Sequence, residues 1–268
     1  MDTNSRTAWQ PITPQGVADF AHAPWRRLLL VQILVALLVG CGVAWFAHDG
    51  YFTVISDAIV HLPETGEIRN GQLKWNGETP TVLAKNTFLA LTVDLEHGGR
   101  LRTTSHVQFE FGQTNLYVQS LLGYLELKYP RDWIIETNRA ELIPRWGAWR
   151  PPILVLTILG VALYLMISWY ALATLYAGPV WYLAYFMNRD LTWRSSWRFC
   201  GAALLPGALL MWLAISFYSL AVMDLVQLGF VFIAHVVMSW VYILVSIHFI
   251  PRVAADPPPK NPFKSSGK

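Results

Sequence analysis

Charge is what this chain has least of. Asp, Glu, Lys and Arg make up 14% of its 268 residues, where a soluble domain carries about a quarter. So sparse a set argues against an ordinary soluble globule. The net charge of +3 is too small to suggest nucleic-acid binding, which needs a concentrated basic surface. Cysteine is nearly missing too. Cys41 and Cys200 both fall in apolar runs, far apart and without companion ligands, so they read as small buried hydrophobes rather than a disulfide or metal site. There is no Gly-rich phosphate loop, no His-Glu-x-x-His zinc motif and no Gly-x-Ser-x-Gly elbow. The expectation is therefore a non-enzymatic protein with no cofactor and no nucleic-acid partner.

What the chain does have is long apolar runs and aromatics. Hydrophobic residues reach 54% and there are 13 Trp. A bilayer-crossing helix needs about 20 apolar residues, because the hydrocarbon core is ~30 Å and each residue rises ~1.5 Å. Residues 28–47, 152–177, 200–222 and 225–250 each meet that length. The first run could be a cleaved secretion signal, but its full length and its Trp45–Phe46 end favour an uncleaved anchor. The second begins at Pro151–Pro152, suitable for a first helical turn. It should end or bend at Gly178–Pro179, leaving residues 178–199 as an interfacial connector. Pro206 should kink the third run. A short link around Asp224 makes the third and fourth runs a hairpin.

Lys and Arg cluster before the first run, between the second and third, and after the fourth. Short basic loops stay in the cytoplasm. The expected layout is thus a four-span α-helical membrane bundle in a bacterial inner membrane, with both termini cytoplasmic. Residues 1–27 form an N-terminal cytoplasmic segment, and residues 251–268, rich in Pro and Lys, a disordered tail. Residues 48–151 form an extracytoplasmic domain inserted after the first span.

That inserted region reads as β-rich α+β. In "SHVQFEFG", Val107, Phe109 and Phe111 alternate with His106, Gln108 and Glu110, as in a half-buried strand with its polar face in water. "TFLALTVDL" and "NLYVQSLLGYLELKY" are also strand-like, and Asn70–Gly71, Asn76–Gly77 and Gly98–Gly99 mark turns. "PRDWIIETNRAELI" suggests a helix leading into the second span. The acidic and basic residues nearly cancel, so no strong field steers a charged ligand. His61, His97 and His106 are scattered, with His106 read as solvent-facing. Asp94 and Glu96 would need a shared cleft to act as an acid–base pair.

Two patterns supply candidate site residues. In the fourth run, Asp224 and Gln227 lie at one end, Asp224 as an N-cap, and His235 lies roughly 16 Å deeper. Helical spacing puts His235, Ser239, Tyr242 and Ser246 on one face, with Gly160, Tyr164 and Ser168 of the second run as a facing set. The face reads first as hydrogen-bonded packing. Its alternative reading, a small transporter or proton-linked component using the histidine, follows from the functional habit of intramembrane ionisable groups. In "LTWRSSWRF", Trp193 and Trp197 form an aromatic stripe beside Arg194 and Arg198, suited to the lipid interface.

Leu62–Pro63, Asn70–Gly71–Gln72–Leu73, Glu78–Thr79–Pro80 and Asp94 together resemble the outer segment of a family of uncharacterised bacterial polytopic membrane proteins, some labelled maltodextrin-utilisation or permease-associated. The order of anchor, outer domain and C-terminal membrane block is similar as well. The family follows its Asp with Thr, where this chain has Leu95. The resemblance implies the layout above and supplies no catalytic residues. The preferred reading is an accessory or scaffold protein whose outer domain binds an envelope partner, in contact with membrane lipids and with a protein partner or further copies of itself.

Overall fold

A computed structural model describes residues 9–99, 101–121 and 123–253; most of the tail expected to be disordered lies outside them. Among the described residues, four helices are long and apolar enough to cross a membrane: Trp25–Val60, Arg139–Phe186, Trp193–Ser219 and Leu225–Phe249. A β-sheet region lies between the first two. The chain divides into two compact units, one of Met1–Ala36, Leu163–Met211 and Gly229–Lys268, the other of Leu37–Ala162 and Trp212–Leu228.

The first unit is helical. Helix α1 (Pro14–Asp19) starts with Pro14 behind a Thr13 cap, whose hydroxyl accepts from the Gly16 amide at 3.1 Å. Val17 and Phe20 are fully buried, so this helix is packed against its surroundings. Helix α2 (Trp25–Ala47) follows. Helix α4 (Arg139–Phe186) does not stop at Gly178–Pro179. The proline removes one backbone bond, yet Ala177 and Val180 beside it are buried, and their packing holds the helical path. The packed face of α4 in this unit is Trp169, Ala173, Ala177, Val180 and Ala184. Small residues at that spacing let another helix approach closely: Ser196 Oγ donates to the Ala177 carbonyl at 2.9 Å. Helix α5 (Trp193–Ala203) begins earlier than expected, on a Thr192–Ser195 capping box. The chain then breaks at Leu204 before α6 (Leu205–Ser219), because Pro206 cannot donate to the preceding turn. Helix α7 (Leu225–Ser246) completes the set.

The second unit is built on two sheets. Helix α2 continues through a π-helical turn, His48–Phe52, into α3 (Thr53–Val60). Strands β1 (Gly66–Arg69) and β2 (Gln72–Trp75) form a hairpin on Asn70–Gly71. Both turn residues have positive φ, 54° and 75°, the geometry that suits Asn-Gly. Strand β8 (Ile135–Glu136) pairs with β1, where a helix was expected; the helix starts only at Arg139. The second sheet has the order β3 (Thr81–Lys85), β4 (Leu89–Val93), β5 (Val107–Phe111), β6 (Asn115–Ser120), β7 (Gly123–Lys128). Strands β4 and β5 are parallel and the other pairs antiparallel.

That parallel pair decides which face is covered. Parallel neighbours need a connection of about a dozen residues across one face of the sheet. Here it crosses the polar face. Thr92, Gln108 and Glu110 are 0%, 3% and 1% exposed, while Phe109 and Phe111 on the other face are only half-buried. The expectation that Gln108 and Glu110 face water is overturned, because alternation reports two faces and not which one the chain will cover.

Candidate functional site

The apolar face left open lines a cavity of about 690 Å³, within the range of about 300–1,000 Å³ usual for small-molecule sites. At its base sits a buried cluster that includes Ala58, Ile68, Leu73, Leu83, Val93 and Tyr129. Leu91, Phe111, Leu116 and Leu127 line it from the five-stranded sheet, Trp75 and Ile135 from the smaller one. Ile55 and Ile59 contribute from α3, and Leu142, Trp146 and Trp149 from the start of α4. The helical wall is braced. Trp146 Nε1 donates to Ser56 Oγ at 2.9 Å, and the Trp146 ring meets Phe52 edge-on at 5.0 Å.

The lining is almost wholly apolar, yet it is not closed. Leu127, Trp149 and Trp133 are 44%, 59% and 66% exposed, in a fold whose collapse is driven by removing such surface from water. Among the described lining residues the charged groups are Lys128, Glu136 and Arg145. Arg145 lies 3.9 Å from Glu141 with both side chains more than half exposed, a pairing that contributes little. The Tyr129 hydroxyl donates to the Gly112 carbonyl at 3.1 Å, and burial pushes its phenol above the usual range. No nucleophile–base pair occurs among the described lining residues. The arrangement can hold an apolar group by shape and desolvation.

On the opposite face the β4–β5 connection is pinned by polar contacts. His97 Nδ1 lies 2.6 Å from Glu110 Oε1, and its ring stacks on Tyr117 at 3.8 Å. Gln108 donates to the Leu101 carbonyl at 2.7 Å and accepts from the Thr103 amide at 3.0 Å. Asp94 is buried and accepts from the Gly98 amide at 2.9 Å, while Glu96 is exposed, so the two carboxylates do not form an acid–base pair. His106 is no free surface residue: its Nδ1 lies 2.7 Å from the Tyr218 hydroxyl. Phe46, Phe88 and Tyr218 form an edge-packed ring cluster beside it. Among the described residues no group of three or more potential ligands is placed to hold a metal.

The sequence-selected residues of α7 separate. Asp224 and Gln227 are exposed and cap the helix reciprocally: Asp224 Oδ1 accepts from the Gln227 amide at 2.7 Å, and Gln227 Oε1 accepts from the Asp224 amide at 3.0 Å. His235 is half-buried and bonds the Phe232 carbonyl of its own helix. Ser239 is buried. Their close neighbour is Gly207 of α6, where an added Cβ would stand 2.6 Å from the His235 carbonyl oxygen. Of the set expected on the second run, a Cβ on Gly160 would touch nothing and Tyr164 is 70% exposed. Tyr242 donates to the Ile12 carbonyl at 2.6 Å.

The "LTWRSSWRF" stripe is also divided. Trp193 and Arg194 are exposed. Trp197 donates to Thr174 Oγ1 at 3.0 Å, and Arg198 donates to the Ala23 carbonyl at 2.8 Å. Two of the four residues, both half-buried, thus also make hydrogen bonds within the helical unit. Cys200 is buried as expected, whereas Cys41 is exposed; both are free thiols.

Sequence reasoning missed the cavity. The available signal was the run of Trp133, Trp146 and Trp149 just after the strands, all three of which line the cavity. Comparison of the chain with known protein families, with curated proteins and with solved structures returns no match.

Proposed function

We propose that this chain is a non-enzymatic accessory protein of the bacterial inner membrane, crossing it four times, which binds an apolar group of an envelope partner in its β unit. The observation that carries the reading is the open cavity of about 690 Å³ with its nearly all-apolar lining. Four apolar helices of sufficient length support the membrane placement. Helix α4, at 48 residues, is ~70 Å long and exceeds the ~30 Å hydrocarbon core. Its first turns, which wall the cavity, then stand clear of the bilayer. The Lys and Arg distribution supports cytoplasmic termini, and so an extracytoplasmic β unit.

Photocrosslinking in cells tests the binding reading. A diazirine amino acid at Leu116 should capture a discrete adduct, whereas one at exposed Glu96 should not. Absence of any adduct at Leu116, with the protein expressed and inserted, overturns it. A tag at Lys268 that is reached only from outside the cell overturns the topology.

A further inference from the structure

Resting on the reading of the cavity as a binding site, we infer that its occupant is an acyl chain of an anionic membrane phospholipid. The lining demands hydrocarbon: apart from Lys128, Glu136, Thr137 and Arg145 it offers little polar surface, so a peptide backbone entering it would leave amides and carbonyls unpaired. An acyl chain has no such groups, and each methylene removed from water contributes about 0.8 kcal/mol.

The path of entry is set by α4. The helix runs without a break from Arg139 through Trp146 and Trp149 into the apolar run that begins at Pro152. The cavity wall is thus continuous with the segment proposed to enter the bilayer. Trp133 and Trp149 line the cavity yet are 66% and 59% exposed, amphipathic rings of the kind that settle at lipid headgroups. The charge follows from Arg145. It lines the cavity one helical turn from Trp149, and its 3.9 Å contact with Glu141 is loose. A guanidinium so placed binds a phosphate by two parallel hydrogen bonds. Among the described lining residues the charged groups are Lys128, Arg145 and Glu136, and the Glu141 carboxylate beside Arg145 is solvent-screened and loosely held, so the guanidinium can turn to the phosphate of an anionic headgroup.

The full-length protein, reconstituted in vesicles, is irradiated with phosphatidylglycerol carrying a diazirine near the end of one acyl chain, and labelled peptides are mapped by mass spectrometry. Label should appear on the β5–β7 peptides that contain Phe111, Leu116 and Leu127. Leu116→Trp should lower it by about tenfold, and Arg145→Glu by about fivefold for phosphatidylglycerol but little for phosphatidylcholine, from loss of a charge-assisted contact. Trp133→Ala, at an exposed position that can be changed without unfolding the domain, should lower it as well; it serves if Leu116→Trp misfolds. Label confined to the long helices, or unchanged in both Leu116→Trp and Trp133→Ala, overturns the inference. So does cavity labelling by a diazirine free fatty acid with none by the phospholipid. If phospholipid label is absent while the Leu116 crosslinker still captures a protein, the lipid assignment fails and the binding reading stands. If both are absent, both fail.

Discussion

Replacing His97 by Ala should free the β4–β5 connection while leaving the rest of the molecule folded. His97 Nδ1 is 2.6 Å from a Glu110 carboxylate that is 2% exposed, and the imidazole stacks on Tyr117 at 3.8 Å. A hydrogen bond to a charged group contributes about 1.5–3 kcal/mol, and the stacked ring about 0.5–1.5 kcal/mol more. His97 is itself 37% exposed, so solvent recovers part of that loss, and a net of about 2–3 kcal/mol is expected for local opening. After the substitution Glu110 keeps, among the described residues, Gln108 Nε2 at 3.5 Å. Hydrogen exchange on the full-length protein in detergent reads the effect directly. The Gly98 and Thr103 amides, held by Asp94 and Gln108, should exchange about 30- to 150-fold faster, since ~1.4 kcal/mol is a factor of ten. Amides of α6 and α7 should not change. Glu110→Gln should give a smaller acceleration, and adding His97→Ala to it less than the sum. An acceleration under about threefold in His97→Ala, or one spread evenly over the whole chain, would refute the claim that this pair closes the loop on the sheet.

Three further outcomes are expected. Helix α6 ends with Ala221 at φ 56°, the Val222 amide bonding the Phe217 carbonyl and the Ala221 amide bonding the Tyr218 carbonyl. This is a Schellman end at which Gly is favoured, so Ala221→Gly should stabilise by about 0.5–1 kcal/mol, seen as a higher Tm in detergent; a lower Tm rejects the assignment. Gly207→Ala places a methyl 2.6 Å from the His235 carbonyl oxygen and should destabilise by about 1–2 kcal/mol despite the better helix propensity of Ala; unchanged melting means α6 and α7 are not in such close contact. The Tyr129 phenol titrates above its unfolded value because it is buried. Its contribution to stability is therefore complete below about pH 10 and declines as pH rises further, when the unfolded chain releases the proton first. Tyr129→Phe should flatten the alkaline loss of stability and cost about 1 kcal/mol at neutral pH by leaving the Gly112 carbonyl without its donor; an unchanged alkaline slope would show the hydroxyl to be hydrated.

The apolar runs, the β-rich insert and the Asn70–Gly71 turn were legible because each depends on local composition or local period. Twenty consecutive apolar residues can be counted, and Asn70–Gly71 announces its hairpin through the backbone angles those two residues tolerate. The reciprocal cap of Asp224 and Gln227 is local in the same way. Which face of a periodic element becomes covered is not local. Gln108 and Glu110 are buried because β4 and β5 pair in parallel and the connection must return over them. Arg198 and Trp197 find hydrogen-bond partners in Ala23 and Thr174, which are distant in sequence. The cavity belongs to this second class: strands, α3 and the start of α4 each carry an apolar face for reasons visible in the sequence, but the space those faces enclose exists only once all of them have met.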